Sequence, residues 1–214
     1  MQSAVQTRSL LETVVRYSQS LDEATVAYLE GRGISKEVAE QMTLGTVVDP
    51  AEGHQDYVGW LSIPYLTAMG HCVAVKFRRI DDGKPKYGQP VGQKAHPYNV
   101  SDVLIQSPFA VICEGELDAV ILSAIVGIPA VGIPGVQAWK PHFAKLFTGY
   151  EVVYVVGDND VKEDGTNPGA EFARRVQSEL PNGTIVTLPP NTDINEYYLS
   201  NGPEELRKLF GGAK

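Results

Sequence analysis

Two apolar runs in this 214-residue chain each end on carboxylates. Val111-Ile112-Cys113 leads into Glu114-Gly115-Glu116-Leu117-Asp118, and Val152-Val153-Tyr154-Val155-Val156-Gly157 leads into Asp158-Asn159-Asp160. Several acids with no His or Cys beside them are hard oxygen ligands, which favour Mg²⁺ or Mn²⁺ over zinc. Such a cation can carry phosphates and activate an attacking hydroxyl. Asp158 and Asp160 are two apart, so an extended backbone turns both side chains the same way. Asp118 follows Glu114 by one helical turn, and Asp193, within Thr192-Asp193-Ile194-Asn195-Glu196, follows the last strand and could close the ring. A single Asp after a strand is often only a helix N-cap or turn former, which would suit Asp118 or Asp193. Two rows of acids at one sheet end repel unless a cation offsets them, so the ligand reading wins for Glu114, Asp158 and Asp160.

The elements that must position these residues follow from the hydrophobic pattern. The run ending at Gly157 is β-branched and aromatic without polar alternation, as in a parallel strand buried on both faces. In open α/β sheets the ligand crevice lies outside the carboxyl ends of such strands. After Ser107-Pro108 the pattern alternates: strand 109–113, helix 117–126, strand 129–133, helix 139–147, strand 151–157, helix 168–179, strand 184–188 and helix 203–210, an α/β layer fold. No G-x-G-x-x-G and no P-loop is present, so neither phosphate-binding fingerprint applies. Asp158-Asn159-Asp160 followed by Asp164-Gly165-Thr166 has the wrong spacing for the D-x-D-G-T of haloacid-dehalogenase-type phosphatases. Upstream, 9–30 reads as helix broken at Ser18-Gln19-Ser20, with Ser20 as an N-cap and Glu23 completing a capping box. A short helix over 35–42 follows, then antiparallel hairpins from Tyr57 to Tyr87, and a loop over 88–100.

Composition bounds the function. With 43% hydrophobic and 21% charged residues the chain is an ordinary globular one. No apolar run approaches the ~20 residues of a membrane span and the start has no signal-peptide pattern, so a cytoplasmic setting without membrane contact is expected. Cys72 and Cys113 are isolated in apolar, strand-like settings, so no zinc ribbon or disulfide framework is expected. A net charge of −8 argues against a nucleic-acid partner. Yet Lys76, Arg78, Arg79, Lys84, Lys86 and Lys94 face only Asp81 and Asp82, a local balance of +4. That strip is either a solvated hairpin or a phosphate-contacting surface.

The acidic motifs together, Glu114-Gly115-Glu116-Leu117-Asp118-Ala119, Asp158-Asn159-Asp160 and Asp193-Ile194-Asn195-Glu196, resemble the TOPRIM domain of bacterial-type primases, topoisomerases and some nucleases. Upstream, Tyr28 to Ser35, Leu44-Gly45, Leu61 to Tyr65 and Lys84-Pro85-Lys86-Tyr87 resemble the amino-terminal subdomain of the DnaG-type primase catalytic core. The resemblance implies a small α+β subdomain over 1–101, then a TOPRIM domain over 102–214, a Rossmann-like, mostly parallel sheet with flanking helices. It implies Glu114 as general acid or base near the metal, Mg²⁺ (or Mn²⁺) on Asp158 and Asp160, and accessory acids at Asp118 and Asp193. Arg78 and Lys86, and then Lys76 and Lys94, would line a groove for template and incoming nucleotide. The implied activity is synthesis of short RNA primers on single-stranded DNA from ribonucleoside triphosphates. The alternatives are a TOPRIM nuclease, against which the upstream half argues; a topoisomerase, for whose strand-cleaving domain there is little room; and a non-catalytic replisome or DNA-binding protein. Two departures stand out: no zinc ribbon, and Asn195 where an acid is common. The first implies a separate zinc-binding initiation protein or a replicative helicase as partner, and the second a neutral amide ligand or none at one metal position.

Overall fold

In the computed structural model, which describes residues 4–211, the amino-terminal part opens with α1 (Ala4–Gln19), α2 (Glu23–Glu30) and α3 (Lys36–Gln41). The break between α1 and α2 falls where the sequence places it, but Asp22 is the N-cap, accepting from Thr25 N–H at 2.8 Å. Ser20 instead turns its hydroxyl back to the Arg16 carbonyl at 3.0 Å, a local bond that ends α1 rather than starting α2. Strands β1 (Gly45–Thr46), β2 (Leu61–Leu66), β3 (Cys72–Arg78) and β4 (Tyr87–Gly88) then form an antiparallel sheet in sequential order. Pro64 is tolerated within β2 because β1 pairs only with Leu61 and Ser62, so the proline lies beyond the reach of that ladder.

Under this sheet α1 buries Val14 and Tyr17 against Val47, Cys72, Val75 and Phe77. His54 is buried in the same region, edge-on to Phe77 with ring centroids 4.9 Å apart. Tyr17 Oη accepts the Ala51 N–H at 2.9 Å and shares a hydrogen bond with His54 Nδ1, also at 2.9 Å. Burial pushes the His54 imidazole below its ordinary value of 6.5, since a cation there would lose its hydration. The unfolded chain therefore takes up a proton first as pH falls. The stabilisation is full above about pH 6.5 and is lost on acidification towards the folded-state value. Urea denaturation is expected to show this loss below pH 6.5 in the wild type and a flatter profile in His54→Gln; equal slopes would refute the assignment.

Two compact units make up the chain, Met1–Ala95 and His96–Lys214. In the second, β5 (Phe109–Cys113), β6 (Ala130–Gly132), β7 (Val152–Val155) and β8 (Gly183–Ile185) form a parallel sheet in the order β6-β5-β7-β8. The central pair, β5 and β7, are the two apolar runs whose ends carry the acids. Helix α4 (Glu116–Val120) continues as a π-helical turn, Ile121–Ile125, while α5 (Pro168–Ser178) crosses between β7 and β8. Phe172, Ala173, Val176 and Leu180 place the apolar stripe of α5 and its following turn on Ile112, Val153 and Val155. The expected helix at 139–147 is a 3₁₀ segment, Pro141–Phe147, docked by Phe143 and Phe147. An unexpected helix, α6 (Ile194–Asn201), precedes α7 (Pro203–Lys208). Both cysteines are free and buried, and among the described residues no helix is long and apolar enough to cross a membrane.

Candidate active site

Parallel pairing of Ile112 with Val155 brings the ends of β5 and β7 level, so Glu114 and Asp158 leave the sheet side by side. Asp158 N–H donates to Glu114 Oε2 at 3.3 Å. Asp160 follows, exposed, with Lys162 Nζ 4.0 Å from its carboxylate. Burial pushes the half-buried Asp158 carboxyl up to about 7, and Glu114, Asp193, Asp160 and Glu196 add like-charge repulsion in that order. Glu114 is also raised, first by burial and further by Asp160; the Asp158 N–H and Lys162 oppose the shift.

Asp193 has two roles. Its carboxylate caps α6, accepting Glu196 N–H at 2.7 Å while Glu196 Oε2 accepts the Asp193 N–H at 3.2 Å; it also acts electrostatically on Asp158. Asp118 lies in the first turn of α4 with its carboxylate folded towards Gly115, where an added Cβ would fall 2.5 Å from Oδ2. Its place is the start of that helix, where an acid is favourable to the helix dipole. Asn195 is buried beside Ile194 in α6.

Two features of the site had no part in the sequence reading. Asn159 is a stitch: its Nδ2 donates to the Leu188 carbonyl at 2.7 Å and its Oδ1 accepts from Asn167 Nδ2 at 2.7 Å. Asn167 Oδ1 in turn accepts Ala170 N–H, capping α5. Gly157 and Gly169 form the second feature. A Cβ on Gly157 would sit 2.1 Å from the Gly169 carbonyl oxygen, and one on Gly169 would sit 2.1 Å from that of Asp158. Helix α5 therefore meets the turn that carries Asp158 backbone to backbone. The only trace of these features in the sequence is a glycine just before the acids and an asparagine between them.

Among the described residues no three His, Cys, Asp or Glu side chains already form a group that could hold a metal ion. The donor chemistry nonetheless suits a hard divalent cation. Carboxylates supply the oxygens, and Asp158 feels four other acids with no cation among the causes of its shift. Glu114, Asp158 and Asp160 are the residues that would hold it, with Asp193 behind them.

In the amino-terminal unit the basic residues separate by environment. Lys86 and Lys94 are exposed and Lys76 is half-buried. Arg78 is only 6% exposed, with its guanidinium carbon 5.6 Å from the Tyr28 ring centre and 5.0 Å from that of Tyr87. It donates to the Tyr87 hydroxyl, while its Nε is buried without a hydrogen-bond partner. Lys76 Nζ lies 4.2 Å from the Tyr87 ring centre, and Arg32 donates to the Tyr28 hydroxyl at 2.9 Å. Cations and rings thus alternate along Arg32, Tyr28, Arg78, Tyr87 and Lys76.

No protein-family model matches the chain. Its fold is that of the DnaG-type primase catalytic core. The zinc-binding and RNA polymerase domains of Aquifex aeolicus primase match with a TM-score of 0.76 at 23% identity, over 94% of this chain and 59% of that one. The RNA polymerase domain of Mycobacterium tuberculosis primase DnaG matches at 0.76 and 17% identity, over 99% and 84%. A DnaG catalytic domain bound to single-stranded DNA matches at 0.75 and 17% identity, over 97% and 80%. The chain thus spans less than two thirds of the Aquifex chain's length. It belongs to the family of the Gene 57 protein of Mycobacterium phage D29, to which it is 42% identical over 154 residues, 70% of this chain and 97% of that protein.

Proposed function

We propose that this chain is a DNA primase catalytic core that joins ribonucleotides on a single-stranded DNA template. The observation that carries this reading is the placement of Glu114, Asp158 and Asp160 at adjoining strand ends, with Asp193 acting on Asp158, in a fold of the DnaG type. Burial raises the Glu114 carboxyl, and burial with repulsion from Glu114 and the other acids lifts Asp158 to about 7, a poise that suits Asp158 to exchange a proton or a cation near neutral pH. Glu114 has one oxygen engaged by the Asp158 N–H, and its other oxygen is the acceptor for the proton of an attacking 3′-hydroxyl. Bound Mg²⁺ or Mn²⁺ would supply charge neutralisation for the triphosphate and the leaving pyrophosphate. Asp118 supports the site from the start of α4. The exposed Lys86 and Lys94, with Lys76, would contact template phosphates, which positions a strand without reading its bases. A separate zinc-binding initiation protein or a replicative helicase would deliver the start site.

The test is incubation with single-stranded DNA, labelled ribonucleotides and Mg²⁺ or Mn²⁺. Metal-dependent RNA products are expected; DNA cleavage without synthesis would identify a nuclease instead. The two kinds of basic residue make a further contrast. Arg78→Ala is expected to cost about 1–3 kcal/mol of stability in urea titrations, because it empties a packed slot between two rings. Lys86→Ala should leave stability within about 0.5 kcal/mol and lower the salt slope of single-strand binding by about 0.7. Equal stability of the two variants would contradict the assignment.

A further inference from the structure

Within the amino-terminal unit, Val75 sits mid-way along β3 and is wholly buried, so its backbone N–H and C=O both need partners. On one side of β3 runs β2; on the other, β4 pairs only Gly88 with Phe77 and Tyr87 with Arg78. Continuing that antiparallel register by two residues sets Pro90 opposite Val75. A proline has no N–H to give, and the ladder stops there. A side chain takes the open place: Gln93 Oε1 accepts the Val75 N–H at 2.8 Å, and Gln93 Nε2 donates to the Val75 carbonyl at 3.0 Å. A primary amide carries a donor and an acceptor side by side, as a peptide group does. Gln93 thus completes the strand edge that Pro90 cannot.

The same residue closes a turn. Its N–H donates to the Pro90 carbonyl at 3.3 Å, across Val91 and a Gly92 whose φ is +79°. The chain entering this turn is held separately, by Tyr57 Oη donating to the Gln89 carbonyl at 2.9 Å. On the leaving side, the Gln93 amide is the anchor nearest Lys94. Lys94 itself is exposed and makes no hydrogen bond or ion pair among the described residues. Lys86 is held differently, since the Arg79 N–H donates to its carbonyl at 3.0 Å just before β4.

We infer that Gln93 is a positioning residue for the template strand: its amide pins the turn 90–93 to β3 and so fixes the backbone from which Lys94 reaches a phosphate. A cation on a fixed backbone gives up less freedom on binding than one on a loose loop. The inference rests on the primer-synthesis reading, in which Lys94 contacts template phosphates.

Anisotropy titration of a labelled single-stranded oligodeoxynucleotide with the full chain tests it through double-mutant cycles. Gln93→Ala and Gln93→Met, the second keeping the side chain's length without either bond, should each weaken binding about three- to tenfold. Each should also lower the salt slope by about 0.7, as Lys94→Ala does. Gln93→Ala combined with Lys94→Ala should bind no worse than Lys94→Ala alone, whereas Gln93→Ala and Lys86→Ala should multiply their effects. Trypsin should cut the Gln93 variants after Lys94 faster than the wild type, with no change after Lys86. Independent effects of Gln93 and Lys94, unchanged binding by Gln93→Met, tryptic cleavage at the wild-type rate, or no strand binding by the wild type would overturn it. Equal coupling of Gln93 to both lysines would overturn it too, by marking a residue that merely supports the fold. Synthesis is not the readout: a wild type that binds single strands with Gln93 coupled to Lys94 but makes no RNA would remove the primase reading and leave the role of Gln93 in place.

Discussion

Asp158→Ala is expected to lower ribonucleotide incorporation by at least about 10²–10³-fold, the scale on which a single preorganised electrostatic group contributes. The same substitution should leave thermal stability in metal-free buffer unchanged or higher. Asp158 is raised to about 7 because burial and four neighbouring acids oppose its charge. A carboxyl whose folded-state value lies above its unfolded one binds protons more tightly when folded. Its contribution is therefore lost as pH rises towards 7, and the ionised group works against the fold at neutral pH. Alanine removes that opposition, in the manner of a site that trades stability for function. Added Mg²⁺ should raise the wild-type melting temperature and have a much smaller effect on Asp158→Ala. Assays and melting curves on one preparation decide the matter: a variant that loses activity by unfolding would show both signals falling together, and retained activity would remove Asp158 from the site.

Gly157→Ala is expected to cost about 10²-fold in rate without touching a single proposed ligand. The new methyl would lie 2.1 Å from the Gly169 carbonyl oxygen. Backbone on both sides cannot yield as a side-chain tip can, so β7's exit and the start of α5 must move apart. Asp158 is the next residue, and a displacement on the order of 1 Å at a reacting centre carries a penalty of that size. Overpacking of this kind also costs about 1–3 kcal/mol. Gly169→Ala should behave alike because its contact is with Asp158's own carbonyl. The double substitution should cost less than the two effects added, since one separation of the elements relieves both. Full additivity, or a wild-type rate in either single variant, would show that the close approach has no part in holding Asp158.

Legibility was uneven, and the physical reason differs from residue to residue. Ends of β5 and β7 could be read directly, since buried parallel strands are continuous β-branched runs and their acids follow without a gap. Helix α6 was not expected, because the N-cap alternative for Asp193 was not extended to the capping box that Asp193 and Glu196 form. The Asp193 carboxylate caps α6 and also repels Asp158. Ser20 illustrates local competition: two residues upstream of a better cap, it bonded backwards to Arg16. Arg78 was legible as a cation but not as a buried one, because Tyr28 and Tyr87 reach it from different elements.

Periodicity and residue type were enough to establish an α/β layer with acids at its strand ends and a short hairpin region ahead of it. They were enough because strand burial and acid placement are recorded along a few consecutive residues. Contacts between segments far apart in the chain settled the rest. Level pairing of β5 with β7 made Glu114 and Asp158 neighbours across 44 positions, and the meeting of Gly157 with Gly169 joined α5 to the acids. Bonding of Gln93 to Val75 pinned the turn ahead of Lys94. Each depends on distances through space, for which one-dimensional spacing holds no record.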